Sequence, residues 1–151
     1  MNDIKPIADN TPRLDNQLCF SLYSAALAMN KVYRKRLHAL GVTYPQYLVL
    51  MVLWQENALT VTAIGERMFL DSATLTPLLK RMEGQQLISR QRSASDERQV
   101  IITLTDAGSA LREKAAALCD AVASATECSM MQATRLSEQL NALRSTLLKN
   151  A

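Results

Sequence analysis

The sequence predicts a mainly α chain with one small β-wing: a winged helix-turn-helix flanked by long N- and C-terminal helices. Three observations carry that prediction. Gly and Pro are scarce, at four each in 151 residues, while Ala and Leu are plentiful, a balance that favours helix over sheet. The middle of the chain holds a helix with a cap at its start, Leu70-Asp71-Ser72-Ala73-Thr74-Leu75-Thr76-Pro77-Leu78-Leu79-Lys80-Arg81-Met82, whose polar face carries hydroxyls and two cations. After it come two strand-like segments around a charged tip, then a helix start, ending in Asp96-Glu97-Arg98-Gln99-Val100-Ile101-Ile102-Thr103-Leu104-Thr105-Asp106-Ala107-Gly108. A helix with groove-reading side chains followed by a basic wing is an arrangement that docks on DNA.

The elements follow in order. Residues 1–14 are polar, carry Pro6 and Pro12, and read as a flexible N-terminus. Asp15 is placed as the cap of a first helix whose apolar stripe is Leu18, Leu22, Ala25, Met29, Val32, Tyr33, Leu37 and Leu40. Gly41 ends it in a left-handed conformation, and Lys31, Arg34, Lys35 and Arg36 complement the helix C-terminus. Thr43-Tyr44-Pro45-Gln46 fits a capping box with an early proline. Because Pro45 pushes Tyr44 toward extended backbone, Tyr44 is the other candidate cap. The second helix runs through Tyr47, Leu48, Met51 and Trp54 to about Gln55. Thr60-Val61-Thr62 reads as a minor strand, and a small helix follows through Ile64, Gly65 and Met68.

Asp71 or Ser72 caps the next helix, which runs to about Gln86 with Leu75, Leu78, Leu79 and Met82 inward; Gly84 lies near its end. Leu87–Arg90 and Gln99–Thr103 form the wing around a tip rich in Arg, Ser and Asp. Thr105-Asp106 starts a long helix with Leu111, Ala115, Leu118 and Val122 on one face. Ser129-Met130-Met131-Gln132 is a second capping-box match and opens a last helix through Leu136, Leu140, Leu143 and Leu147. The end helices carry more apolar surface than the middle module can cover, which predicts a homodimer clasped by them. The single domain thus divides into the N-terminus 1–14, N-terminal helices 15–57 for dimerisation and sensing, a winged helix-turn-helix 58–105, and C-terminal dimerisation helices 106–151.

The net charge is +3, from 17 Lys and Arg against 14 Asp and Glu, which permits a local basic patch without proving a nucleic-acid partner. From Val61 to Leu104 the chain carries six Lys and Arg against five acids, so the pattern of elements, not charge, carries the DNA reading. Three cysteines with no CxxC spacing, and His38 as the only histidine, predict neither a disulfide scaffold nor a metal site, and no cofactor. No apolar run approaches the roughly 20 residues that span a bilayer, and the start lacks a signal-peptide layout. A cytoplasmic, reducing setting with no membrane is expected.

On the helix from Ser72 the candidate DNA contacts are Ser72, Thr74, Thr76, Pro77, Lys80 and Arg81. Hydroxyls and cations reach phosphates or base edges, while threonine methyls and Pro77 can touch thymine methyls. Arg90, Arg92 and Arg98 line the wing, where an arginine suits a narrow minor groove. Asp96, two residues before Arg98, is placed to hold that guanidinium. Non-specific binding to double-stranded DNA of this kind weakens steeply with salt.

This order of elements, with Asp96-x-Arg98 and Leu104-Thr105-x-x-Gly108, resembles the MarR family of winged-helix repressors. Three segments resemble its organic-hydroperoxide-sensing OhrR branch more closely: Asp15–Phe20, Leu40–Val49 and Leu70–Arg81. The resemblance covers nearly the whole chain from about Asp15. It implies a repressor released from a pseudo-palindromic operator when Cys19 is oxidised by an organic hydroperoxide, with Tyr33 and Tyr44 of the other subunit hydrogen-bonding the thiol. It also implies, for two-cysteine members, a resolving cysteine between the last two helices. Cys128 is the candidate; Cys119 looks like packing. The family's position can also fall on Ser124, in which case a low-molecular-weight thiol would cap Cys19.

The residue types suit this chemistry on their own. Thiolate, not thiol, attacks a peroxide, and an ordinary cysteine is only a few per cent ionised at pH 7. With Asp15 as the cap, Cys19 lies just past the first turn, where the helix dipole favours an anion. Phe20, Leu22 and Met51 are placed as an apolar wall for an alkyl group. Two rivals stand beside this reading: a MarR-type repressor gated by a small phenolic ligand, and a thiol peroxidase, against which the winged module argues.

Overall fold

The computed structural model describes residues 11–151, so the expectation for most of the N-terminus lies outside the described residues. A short 3-10 turn, Leu14–Asn16, precedes α1 (Leu18–Leu40). Asp15 is not the cap. It sits inside the turn with its carboxylate 3.4 Å from Arg13, and Gln17 begins the helix without a side-chain cap. The turn explains the correction. The N–H groups of Asn16 and Gln17 already bond back to the carbonyls of Arg13 and Leu14, so the helix starts later than Asp15. At the far end Gly41 takes φ 72 and returns its N–H to His38, as the left-handed stop requires.

Helix α2 (Tyr44–Gln55) begins in a complete capping box, with the Gln46 N–H donating to Thr43 Oγ1 and the Thr43 N–H donating to Gln46 Oε1 at 3.1 Å. Thr43, not Tyr44, is the cap. Strand β1 is only Leu59–Thr60, because Thr60 turns from pairing to capping α3 (Val61–Met68) through the Ala63 N–H at 3.0 Å. Val61 and Thr62, expected in a strand, are therefore helical. Asp71 caps α4 (Ser72–Gly84) by accepting from Thr74 N–H at 2.7 Å. That hydrogen bond holds the Asp71 carboxyl below its ordinary range.

Helix α4 stops at Gly84, two residues before the expected end. The reversing residue is Gln86, at φ 61, which lets the Leu87 N–H reach back to the Met82 carbonyl. Strands β2 (Ile88–Arg92) and β3 (Val100–Leu104) form the wing, and the sheet order is β1-β3-β2, all antiparallel. Ile88 lies opposite Leu104, and Ile102 is shared between Leu59 and Arg90. Thr105 caps α5 (Asp106–Thr126) through Gly108 N–H at 3.1 Å, and Ser129 opens α6 (Met130–Lys149) with a second complete capping box.

The core gathers Leu50 and Leu53 of α2, Ile64 of α3, Leu75, Leu79 and Met82 of α4, and Ile88 and Ile102 of the sheet, all buried. Leu37 of α1 and Ala115, Leu118 and Val122 of α5 extend it. No residue of α6 is fully buried within its own chain. The Leu104-Thr105-x-x-Gly108 motif has a mechanical reason: a side chain at Gly108 would place its Cβ 2.2 Å from the Leu87 carbonyl oxygen. Only glycine lets α5 start that close to the entry of β2.

Candidate nucleic-acid interface and thiol site

Helix α4 presents its buried leucines to the core and leaves Ser72, Thr74, Pro77, Lys80 and Arg81 exposed; Thr76 is half-buried. Pro77 lies within the helix and has no N–H, so the Ala73 carbonyl is left without its helical donor. Between α4, the start of α3 and the wing base lies a crevice of about 240 Å3, lined by Thr60, Thr62, Ser72, Thr76, Arg90 and Arg98 among others. Hydroxyls and two guanidiniums facing one hollow suit an anion. Arg90 Nε is buried there and meets no partner among the described residues. The sequence offered Arg90 with Arg92 and Arg98 as a wing arginine, but not as a wall of this crevice. The signal was the strand period, which places Arg90 and Arg92 on the same face of β2, and Arg90 is the one that lines the crevice with α4.

The wing tip differs from the expected pose. Asp96 Oδ1 accepts from the backbone N–H of Arg98 at 3.0 Å, and no ion pair forms between their side chains among the described residues. Asp96 shapes the turn, as a short acceptor two residues ahead does, and the Arg98 guanidinium is left for the crevice. Arg92 Nη1 donates to the Glu97 carbonyl at 3.0 Å, bracing the tip from within.

The cysteines occupy three different settings, all exposed. Cys19 is the second residue of α1, closer to the helix start than the Asp15 cap would have put it, and its sulfur has no hydrogen-bond partner among the described residues. Cys128 lies in the α5–α6 corner, its N–H donating to Thr126 Oγ1 at 3.2 Å. Cys119 is not simple packing: its sulfur sits 3.2 Å from the hydroxyl oxygen of Tyr47.

Tyr47 anchors a cluster. The rings of Tyr33 and Tyr44 are 4.7 Å apart, Tyr47 lies 6.0 Å from Tyr33, and Trp54 lies edge-on to Tyr47 at 6.1 Å. Burial raises the phenols of Tyr33 and Tyr44 above the ordinary 10.0 and raises Tyr47 further, with Cys119 adding to its shift. All three therefore remain protonated donors throughout the neutral range. Tyr47 was missed at the site, although its spacing from Tyr44 puts both on one face of α2. The expected apolar wall is not assembled within the chain. Leu22 lines a groove with Leu140, Leu143 and Leu147 of α6, Met51 lines the hollow beside Tyr47 and Cys119, and Phe20 is exposed.

Among the described residues no group of His, Cys, Asp or Glu is placed to hold a metal, and no single helix is long and apolar enough to cross a membrane.

Comparison with known proteins follows the same lines. Residues 29–115 match the family of SarA/Rot transcriptional regulators. The organic hydroperoxide resistance transcriptional regulator of Bacillus subtilis is 55% identical over 103 residues, 68% of this chain and 70% of that protein. Reduced AbfR bound to DNA superposes with a TM-score of 0.76 at 41% identity, covering 91% of this chain and 94% of that one. Disulfide-formed AbfR superposes at 0.63 with 44% identity, covering 87% and 92%. By sequence over more than half its length, and by the winged module built on α4 and the β2–β3 hairpin, this chain belongs to the SarA/MarR-type winged-helix transcriptional regulators, which bind DNA.

Proposed function

We propose that this protein is a redox-sensing repressor whose trigger is Cys19 and whose effector is an organic hydroperoxide. The observation that carries the reading is the pairing of two half-buried phenols, Tyr33 and Tyr44, kept protonated and without a hydrogen-bond acceptor among the described residues, in a chain whose Cys19 is exposed at a helix start. Two such donors fit a thiolate supplied by a second copy. The bare apolar faces of α1 and α6, with Leu18, Leu27, Leu136, Leu140 and Leu147 exposed, fit the same homodimer. The dimer holds two α4 helices about 34 Å apart on a pseudo-palindromic operator. Ser72, Thr74, Thr76, Pro77, Lys80, Arg81, Arg92 and Arg98 make the contacts, with Arg90 beneath them. The protein works in the cytoplasm and consumes peroxide once per cycle, as a regulator and not an enzyme.

The Cys19 thiolate attacks one peroxide oxygen, the O–O bond breaks, and the alkoxide leaves and takes a proton as the alcohol. Sulfur, oxidised by two electrons, becomes sulfenic acid. A second thiol then attacks that sulfur, water leaves, and a disulfide forms. Cys128 in the α5–α6 corner is one resolving thiol. Cys119 is a second, favoured by one observation: Tyr47 holds its sulfur beside the same tyrosine cluster that would receive Cys19. Cys128 lies nine residues beyond it in sequence, past the end of α5.

The test is release from an operator duplex by cumene hydroperoxide, read by gel shift. Wild type is expected to release and Cys19→Ser to stay bound; release of Cys19→Ser would sink the sensor assignment. Non-reducing mass spectrometry of Cys119→Ser and Cys128→Ser identifies the resolving thiol by the variant that stops at sulfenic acid or a mixed disulfide. Sustained peroxide turnover with a thiol reductant would instead make the protein a peroxidase.

A further inference from the structure

Phe69 stands where backbone geometry suits it least. It ends α3 at φ 57, in the left-handed region that glycine enters freely and a bulky aromatic rarely does. The ring is not there to fill the core, since Phe69 is 55% exposed. What meets it is Arg144 of α6, whose guanidinium carbon lies 4.0 Å from the ring centroid. Among the described residues no carboxylate pairs with Arg144. Its Nη1 donates to Asn141 Oδ1 at 3.0 Å, and its Nε is buried with no partner among the described residues. A guanidinium with no counter-carboxylate, laid over an aromatic face, is held by the ring's negative quadrupole.

The contact joins two parts that otherwise scarcely touch. No residue of α6 is fully buried, and Phe69 belongs to the turn between α3 and α4. That turn is stiff. The Leu70 N–H donates to the Gly65 carbonyl at 3.0 Å, and a Cβ on Gly65 would lie 2.6 Å from the Leu70 carbonyl oxygen. Asp71, two residues beyond Phe69, caps α4. A shift of the ring therefore reaches the start of α4, where Ser72 and Thr74 are exposed.

We propose that Arg144 is a positioning residue for DNA binding: its grip on the Phe69 ring fixes the angle between α6 and α4, so that the placement of α6 sets the orientation of the groove-facing helix. The left-handed Phe69 is then explained, because presenting an aromatic face at this corner is its task. The inference rests on α4 entering the groove and is independent of Cys19 chemistry.

The test uses the full-length chain and a 30-base-pair duplex selected from random sequence for wild-type binding (the length is about three turns of DNA). Fluorescence anisotropy gives affinity, and thermal melting and sedimentation give stability and assembly. Arg144→Gln and Phe69→Leu are expected to weaken binding by about three- to tenfold, with Arg144→Lys retaining part of the affinity. The double variant should be no weaker than either single one, because both remove the same contact. Phe69→Gly is the discriminating variant. It relieves the left-handed backbone, so melting should hold or rise while affinity falls as in Phe69→Leu. The salt dependence of binding should not change, since Arg144 is not assigned a phosphate. Wild-type binding to the selected duplex tests the DNA reading, and the differences among variants test this one. Three results would overturn it: Arg144→Gln binding like wild type while Phe69→Leu fails, which would put the ring on DNA; additive losses in the double variant; or a salt slope reduced by about one in Arg144→Gln, which would put the cation on a phosphate.

Discussion

Helices α4 and α6 carry nearly the same apolar pattern and meet opposite fates. In α4 the positions Leu75, Leu78, Leu79 and Met82 are all buried, against α2, α3 and the sheet. In α6 the stripe Leu136, Leu140, Leu143 and Leu147 recurs at helical spacing, and three of the four are exposed, with Leu143 half-buried. Intrinsic propensity does not separate them, since α6 is the longer helix and has the fuller cap. The difference lies in what the chain supplies opposite each face. An amphipathic pattern says that a face is to be covered, and only the rest of the fold says by what. The winged module is finished by its own residues, whereas α6 leaves most of its apolar stripe uncovered within the chain.

Truncating one buried leucine in α4 and two exposed leucines in α6 separates the two fates. Leu79→Ala removes a side chain that is 1% exposed at the centre of the module. It is expected to lower unfolding free energy by about 2–5 kcal/mol at every protein concentration. Leu136→Ala with Leu140→Ala should leave the module's own transition in place. It should instead make melting depend on concentration and shift the sedimentation profile toward monomer, as mass action requires. Equal, concentration-independent losses in both would erase the distinction.

The seam between the two regions is tested by Gly108→Ala. Its Cβ would press on the Leu87 carbonyl at 2.2 Å, and the Gly108 carbonyl accepts from Trp54 Nε1 at 3.0 Å, so neither side can retreat freely. The expected loss is about 1–3 kcal/mol, from strain in a well-packed site. Gly84→Ala, whose Cβ meets nothing within 4 Å, is the matched control and should be neutral or slightly stabilising. A neutral Gly108→Ala would show that α5 is free to slide against the wing.

Much of this was legible in the sequence, and the misses have physical causes. Both capping boxes and the Thr105 cap could be read because a hydroxyl three residues before its N–H partner is a local device. The wing was legible because its strands are rich in β-branched residues and bound a polar tip. Asp15 misled because a 3-10 turn consumes the donors that a cap would serve, and such a turn leaves no periodic trace. Gly84 lies in the helix near its end, as read, but α4 stops there and not at about Gln86, because Gln86 takes the left-handed position and no residue type announces that reversal. Asp96 was rightly singled out, but its partner is a backbone N–H two residues on, which side-chain charge alone does not disclose. The Tyr47–Cys119 pair spans 72 residues, and no local rule joins them. The relation of Cys19 to Tyr33 and Tyr44 is a different case, resting on resemblance and on a second copy of the chain.

The smallest expected effect sits where the two regions meet, at Tyr47. Its phenol is held above the ordinary 10.0, first by burial and then by the hydrogen bond with Cys119. The folded state thus keeps the Tyr47 proton more tightly than the unfolded chain does. The stability this contributes is fully present below about pH 10, the unfolded value, and is lost as pH rises toward the folded one. Tyr33 and Tyr44 act in the same direction. Denaturant unfolding followed from pH 8 to 11 should therefore show wild-type stability falling above about pH 10, with Tyr47→Phe falling less steeply. At neutral pH the same variant should lose only about 0.5–1.5 kcal/mol, the net worth of one hydrogen bond. Cys119→Ser separates the causes: because burial is the larger one, the alkaline decline should persist in that variant. A flat alkaline profile in Cys119→Ser would instead make the thiol the dominant influence and place Tyr47 with the sensor, not with the core.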